Sequence, residues 1–224
     1  VLAEPNDILG VEYCKALLQS DSTITPLAME RRAVGHNEGA AGGFASASYI
    51  RALLDSGEDA SAFLTAESAA IYARECAAGR APVTMKGAER AMLSRLRMLE
   101  EADFARYDSG GEGLYRRFYA AVRTAASVDE LLGTVKTKRY AYARLRRMLL
   151  AVYLDIAAAE LPQEIPYLRV LACNERGRML LRAIKNEGSA PVLTKSADVR
   201  SLSEEAQKLF ALTARAADQY VLAY

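Results

Sequence analysis

From residue 44 to its end, the chain repeats apolar residues at helical spacing, and this pattern most restricts the folds open to it. Alanine loses least on entering a helix and occurs 42 times, against 14 glycines and 6 prolines. The spacing predicts helices over residues 46–54, 66–78, 87–101, 114–126, 127–133 and 137–159, and from about 203 to the end. Ser127 and Glu130 form a capping-box pattern at the start of one of them. The prediction is a mainly α fold.

The first 43 residues follow a different pattern. Apolar spacing predicts a helix over 6–18, which Asn6 or Asp7 could cap, and the β-branched start of 23–29 predicts a short strand. A helix followed by a strand is a piece of an α/β sheet, and one strand cannot form a sheet. We therefore expect residues 1–43 to be the last part of an α/β domain in a longer protein, and residues 44–224 to be a helical domain. Alternatively, 23–29 is an extended loop. The glycine-rich residues 35–43 predict a flexible loop.

Composition excludes several classes of protein. The chain has a net charge of +1 and one histidine, so His36 cannot belong to a multi-histidine metal site. Cys14, Cys76 and Cys173 are far apart and odd in number, which argues against a disulfide framework and for a reducing compartment. No apolar run reaches the roughly 20 residues that a membrane span needs. We expect a cytoplasmic protein with no metal-ligating residues and no membrane contact.

Residues 44–51, FASASYIR, form the first candidate site. A helix N-terminus presents free N–H groups and a partial positive charge, so it attracts phosphate. Ser46 and Ser48 add hydroxyl groups, and Arg51 adds a planar guanidinium that can hold phosphate oxygens. The alternative is that the serines only cap the helix.

Two further candidates precede this helix. Asn6, beside Pro5, either caps the first helix or offers its amide to a bound nucleotide. Arg31 and Arg32 directly follow the predicted strand, and ligands of open α/β sheets bind beyond the carboxyl ends of the strands. The alternative for the two arginines is a solvated charged pair.

A basic region occupies the middle of the helical part. Residues 115–150 contain nine Lys and Arg against two Asp and Glu, a local net charge of +7. A helical wheel of residues 136–156 places Leu145, Leu149 and Val152 on one side, together with Tyr142 and Ile156. The opposite side carries Lys136, Tyr140, Arg144 and Arg147, with Arg139 and Arg146 beside them. A face of one sign that includes a tyrosine suits phosphate contact and base stacking. The alternative is the solvated face of an amphipathic helix.

Several blocks together carry a resemblance to a known family. In order they are PNDILGVEYCKAL, an extended run ending in Arg31, ASASYIR, VKTKRYAYARLRRMLL, IPYLRVLACNERGRMLL and ARAADQYVLAY. Along essentially its whole length the chain resembles the tRNA(Met) cytidine acetate ligase family, a branch of the HIGH-type nucleotidyltransferases. The resemblance implies a Rossmann-like nucleotidyltransferase domain followed by a helical region. It also implies an enzyme that uses ATP, with Mg²⁺, to convert acetate to acetyl-adenylate and then acetylates N4 of the wobble cytidine in elongator tRNA(Met).

The resemblance assigns roles to individual residues. Five positions match the family's ATP-binding motifs: Asn6, Arg31, Ser46, Ser48 and Arg51. The KTKRY block and the arginines that follow lie where tRNA is expected to bind: Lys136, Lys138, Arg139, Tyr140, Arg144 and Arg147. No residue is implied as a metal ligand.

The match to the family is incomplete. The family's H-x-G-H element, which grips the nucleotide phosphates, is absent from these 224 residues. We therefore expect this chain alone to be inactive and the element to lie in a preceding nucleotidyltransferase domain. Around His36 the sequence reads VGHNE, where the family usually has G-x-x-Y-H-D. Two alternatives stay open: a non-catalytic RNA-binding module, and another adenylyltransferase that acts on a small acid without RNA.

Overall fold

The computed structural model describes residues 5–29, 39–108 and 110–224. It is mostly helical, as the sequence predicts, and divides into two compact units, Val1–Pro82 and Val83–Tyr224. The predicted boundary between residues 43 and 44 falls inside the first unit, and the assignment of 1–43 to a separate α/β domain stays a prediction. Among the described residues, no helix combines the length and the apolar character that crossing a membrane requires.

The described part of the first unit contains helices and one small hairpin. Its elements are α1 Pro5–Gln19, β1 Ala40–Ala41, β2 Phe44–Ala45, α2 Ala47–Ser56 and α3 Ala66–Ala77. Strands β1 and β2 pair antiparallel, and the positive φ angles of Gly42 and Gly43 make the two-residue turn between them. A tight hairpin therefore replaces part of the flexible loop predicted over 35–43. Residues 35–38, with His36, lie outside the described residues.

The strand predicted over 23–29 is not formed. These residues pair with no other strand in the described part of the chain, and Ile24, Leu27 and Met29 are exposed. A β-branched run becomes a strand only when a neighbouring strand accepts its backbone hydrogen bonds. The segment is therefore an extended loop here, the alternative that the sequence left open, and the attachment to a Rossmann-like sheet stays a prediction.

Five helices make the core of the second unit: α4 Glu89–Arg97, α5 Glu101–Ala105, α6 Leu114–Thr124, α7 Val128–Val135 and α8 Tyr142–Leu154. Helix α6 buries Leu114, Phe118 and Val122, and α8 buries Leu145, Leu149 and Val152, each set at helical spacing. Each fully buried apolar side chain contributes roughly 1.5–3 kcal/mol to folding. This core holds the start of α8, with its basic residues, in a fixed position.

The remainder of the second unit surrounds a parallel strand pair. It consists of β3 Leu168–Arg169, α9 Glu175–Glu187, β4 Val192–Leu193 and α10 Glu204–Tyr220. Strands β3 and β4 are parallel, so the chain needs a crossover between them, and α9 supplies it. Helix α9 was not among the helices predicted from the sequence. Its signals were Asn174, whose side chain accepts the N–H of Gly177, and the spacing of the half-buried Leu181 and Ile184.

The helix boundaries correct two predictions. The helix predicted over 87–101 covers only Glu89–Arg97, and the next helix begins at Glu101, where the Asp103 carboxylate accepts the N–H of Glu100 at 2.9 Å. The helix predicted over 137–159 covers only Tyr142–Leu154, and α10 is the longest helix that the structure describes. The cap predicted at Ser127 is present: its Oγ accepts the N–H of Glu130, whose carboxylate accepts the N–H of Ala126.

Candidate nucleotide and nucleic-acid sites

Ser46 is the N-cap of helix α2. Its Oγ accepts the backbone N–H of Tyr49 at 3.1 Å, and the residue is only 2% exposed. Its own N–H donates to the carbonyl of Gly39, which ties the helix start to the hairpin. The Ser46 hydroxyl therefore caps the helix, which is the alternative stated for this residue in the sequence analysis. Its contribution to a ligand site would be to hold the N-terminus of α2 in place.

Ser48 and Arg51 lie on the exposed surface of the first turns of α2, three residues apart and so on one side of the helix. The N–H groups of Ala47 and Ser48 belong to the first turn and have no acceptor within the helix. An anion at this end would meet two free N–H groups, one hydroxyl and one guanidinium. This arrangement is chemically suited to phosphate.

The other two predicted ATP ligands cannot be placed. Arg31 lies outside the described residues, and the same holds for the side chain of Asn6, although its backbone belongs to α1. Their assignment to ATP stays a prediction.

The basic region begins with a loop. Residues 136–141 precede α8, Thr137 and Tyr140 form an isolated antiparallel bridge, and Thr137 Oγ1 accepts the N–H of Arg139 at 3.3 Å. The wheel drawn over residues 136–156 is therefore valid only for Tyr142–Leu154. The short hydroxyl turn at Thr137 was the sequence signal for this break.

Two carboxylates interrupt the basic face. Glu112 accepts hydrogen bonds from Arg139 at 2.9 Å and from Arg144 at 3.1 Å. These hydrogen bonds hold the pKa of the Glu112 carboxyl below its usual range. Asp108, whose side chain is 2% exposed, lies 3.6 Å from the Arg144 guanidinium and accepts the N–H groups of Gly110 and Tyr115. Two of the predicted tRNA-binding cations are thus already paired within the protein.

Lys136, Lys138 and Arg147 have no carboxylate within 4.0 Å in the ranges that the structure describes. Lys138 and Arg147 are exposed, while Lys136 is half-buried and its Nζ donates to the carbonyl of Thr137 at 2.6 Å. These three side chains, with the neighbouring Arg146, offer positive charge to a polyanion without first breaking an ion pair.

Tyr140 and Tyr142 lie on the opposite sides from those that the helical wheel predicted. Tyr140 is only 4% exposed, its ring is part of the core, and the Arg144 guanidinium covers it at 5.2 Å. Its ring is not available for base stacking, because the loop at 136–141 turns it inward. Tyr142, predicted on the apolar side, is 46% exposed. Tyr142 was not among the predicted RNA-binding residues, because the wheel was drawn through residues 136–141 and the helix begins only at Tyr142.

An exposed helix N-terminus suited to phosphate and a cationic surface beside an exposed tyrosine are features of a protein that handles nucleotides and nucleic acid. The chain belongs to the HIGH Nucleotidyl Transferase family, which it matches over residues 1–224.

Two curated relatives of this chain have the same name. The chain is similar to the tRNA(Met) cytidine acetate ligase of Fervidobacterium nodosum, with 36% identity over 94% of this chain and 51% of the relative. The protein of that name from Kosmotoga olearia is 37% identical over 84% of this chain and 46% of the relative. The chain therefore spans about half the length of these curated relatives.

Solved structures agree with this comparison. Apo TmcAL of Thermotoga maritima superposes with a TM-score of 0.89 at 26% identity, covering 98% of this chain and 56% of that one. The same protein bound with alpha-thio ATP gives a TM-score of 0.87 at 27% identity, covering 98% and 55%. The described fold is thus that of the matching half of TmcAL.

Proposed function

We propose that this chain is part of an ATP-dependent ligase that acetylates N4 of the wobble cytidine in elongator tRNA(Met). An acetate oxygen attacks the α-phosphorus of ATP, a new P–O bond forms, and pyrophosphate leaves. The cytidine amine then attacks the carbonyl carbon of acetyl-adenylate, AMP leaves, and the amine loses one proton. Holding the amine against this reactive anhydride provides much of the second step.

The start of α2 is proposed to bind ATP phosphates. In support of this role, Ser48 and Arg51 are exposed on one side of a helix end whose first N–H groups are free. Asn6 and Arg31 are proposed to complete the nucleotide contacts. Mg²⁺ is proposed to arrive with ATP, held by its phosphate oxygens, as is usual for this ion.

The first unit is proposed to pack against the rest of a nucleotidyltransferase domain that carries the H-x-G-H element. Exposed apolar side chains support this arrangement: Ile8, Leu9 and Val11 of α1 are each nearly half exposed, and Leu27 and Met29 almost fully. Large apolar side chains left exposed in such number are typical of a surface that another part of a protein covers. Acetyl-adenylate formation is proposed to need that domain, and residues 1–224 alone to bind but not react. The cytoplasmic location stays a prediction.

The observation that carries the proposal is the group of unpaired cations at 136–147 in a chain whose relatives are named for tRNA(Met). It is tested by binding of an elongator tRNA(Met) transcript to the 224-residue protein over a range of salt concentrations. The triple variant Lys136→Gln, Lys138→Gln, Arg147→Gln should bind more weakly. Its plot of log affinity against log salt should be shallower by about 2 to 3, since each lost phosphate contact removes roughly 0.7–0.9 from the slope.

A matched control removes the same charge elsewhere. Lys15, Arg80 and Lys208 are each already paired with a carboxylate, at 3.4, 2.7 and 2.7 Å. The triple glutamine variant at these positions should keep the wild-type salt dependence. Equal loss in both triple variants would show that only net charge matters and would contradict the proposed surface. Binding of tRNA without any acetyl transfer, even after the H-x-G-H region is supplied, would favour the RNA-binding module instead.

A further inference from the structure

We propose that Tyr142 stacks on an unpaired base of the bound RNA, with Lys136 and Arg146 holding the phosphates on either side of that base. This inference rests on the proposed function, because it assumes that the surface at 136–147 binds RNA. It assigns the stacking role to a residue that the sequence pattern placed in the core.

Tyr142 has an exposed ring, whereas three other tyrosines of the second unit are buried in its core. Tyr107, Tyr140 and Tyr153 are each less than a tenth exposed, and each donates its hydroxyl hydrogen to an acceptor within the protein. Tyr142 is 46% exposed, and its hydroxyl has no hydrogen-bond partner in the described ranges. The part of the ring that the fold leaves open is therefore accessible to a ligand.

Two cations lie beside this ring. The Lys136 ammonium is 5.5 Å and the Arg146 guanidinium 5.9 Å from the ring centroid, both within cation–π distance. Neither cation has a carboxylate within 4.0 Å among the residues that the structure describes. Lys136 is also anchored by its bond to the Thr137 carbonyl, so its charge is fixed close to the ring.

An exposed aromatic ring between uncompensated cations is the arrangement with which proteins bind single-stranded nucleic acid. The cations neutralise phosphates, and the ring stacks on a base of any identity. A base within a regular RNA helix has both faces covered by its neighbours, so the ring can reach only an unpaired or splayed base. The ligand class is therefore an unpaired nucleotide, and not the duplex stem.

The test exploits the absence of tryptophan from the whole chain. Tyr142→Trp places a single indole at this position, and Tyr220→Trp places one at an exposed tyrosine of α10 that makes no cation–π contact in the described ranges. A short single-stranded RNA should quench the emission of the Tyr142→Trp protein, because the indole stacks on a base. A duplex of the same length should not, and neither RNA should quench the Tyr220→Trp protein.

Affinity provides the second measurement. Tyr142→Leu should weaken binding of the elongator tRNA(Met) transcript by about 5- to 150-fold, which corresponds to the roughly 1–3 kcal/mol of one base stack. The salt slope should stay that of the wild type, since no charge is lost. Tyr142→Phe should bind within about twofold of wild type, because it keeps the stacking ring. Tyr220→Leu serves as the matched control.

The outcomes separate this inference from the proposed function. If the wild-type protein binds tRNA and Tyr142→Leu binds equally well without a fluorescence change at position 142, the ring only packs on Lys136 and Arg146, and the inference is overturned. If the wild-type protein does not bind the transcript at all, the proposed function fails, and the inference fails with it.

Discussion

At the scale of single residues, two nearby carboxylates, Asp108 and Glu112, determine which cations of the basic surface are paired. Arg144 contacts Glu112, Asp108 and the ring of Tyr140, and a Cβ at Gly110 would collide with its guanidinium. A larger residue at 110 would therefore displace the end of the Arg144 side chain from its present position. Arg144 connects the 108–113 loop to the start of α8 and so positions the side chains that bind the polyanion in our proposal.

The hydrogen bond between Tyr107 and Asp155 predicts that stability changes at alkaline pH. Burial, and then a 2.6 Å hydrogen bond to Asp155, raise the pKa of Tyr107 to about 12. Because this folded-state pKa lies above the ordinary 10.0, the contribution of the Tyr107 hydroxyl to stability is complete below pH 10 and is lost as the pH rises through 12. The free energy of unfolding of wild type and of Tyr107→Phe should therefore converge between pH 10 and pH 12. Urea unfolding over this range measures the difference, and a constant difference would contradict the assignment.

At the scale of elements, two arginines join the ends of α4 and α6 reciprocally. Arg97 donates to the carbonyls of Val122 and Ala125 at 3.1 and 2.7 Å, and Arg123 donates to the carbonyls of Arg97 and Leu99 at 2.9 and 2.6 Å. The final carbonyls of a helix have no partner within it and carry partial negative charge. Each helix end is thus capped by the cation of the other helix.

Removing one of these caps should destabilise the second unit. Arg123→Met keeps most of the aliphatic length and loses the donors, so we expect a loss of about 1 to 2 kcal/mol, the lower part of the range for charged hydrogen bonds because Arg123 is exposed. Arg90→Met, at an exposed position of α4, is the matched control and should change the free energy of unfolding by less than about 0.5 kcal/mol. Chemical denaturation measures both, and equal effects would refute the reciprocal cap.

The helices also show what local sequence can predict. Helices α2, α3, α6, α7 and α10 follow from apolar spacing and capping residues, since both signals lie within a few positions of the helix itself. The inward turn of Tyr140 and the pairing of Arg139 and Arg144 do not follow in this way. They depend on Glu112, which is 27 and 32 residues away from the two arginines along the chain. The phosphate-suited end of α2 was accessible to sequence analysis because it is a local cap.

At the scale of the whole molecule, buried apolar residues are distributed unequally. The large core comprises residues of the second unit alone, from Ala88 to Ala157, whereas Ala60 is the one buried hydrophobic residue in the described part of the first unit. A cooperative transition requires a shared core, and a single domain of the second unit's size normally unfolds in one step. The same unit contains Lys136, Lys138, Tyr142 and Arg147.

We therefore expect residues 83–224 to fold as a separate protein and to bind the elongator tRNA(Met) transcript with the salt slope of the 224-residue chain. Residues 1–82, whose described part holds one buried apolar residue, should unfold without a sharp transition when expressed alone. Circular dichroism during urea titration distinguishes the two fragments, and tRNA binding by residues 83–224 tests the location of the surface. A fragment 83–224 that folds but has lost the salt dependence would mean that the first unit supplies most of the phosphate contacts. That result would move the RNA-binding surface away from the cations at 136–147 and toward the first unit.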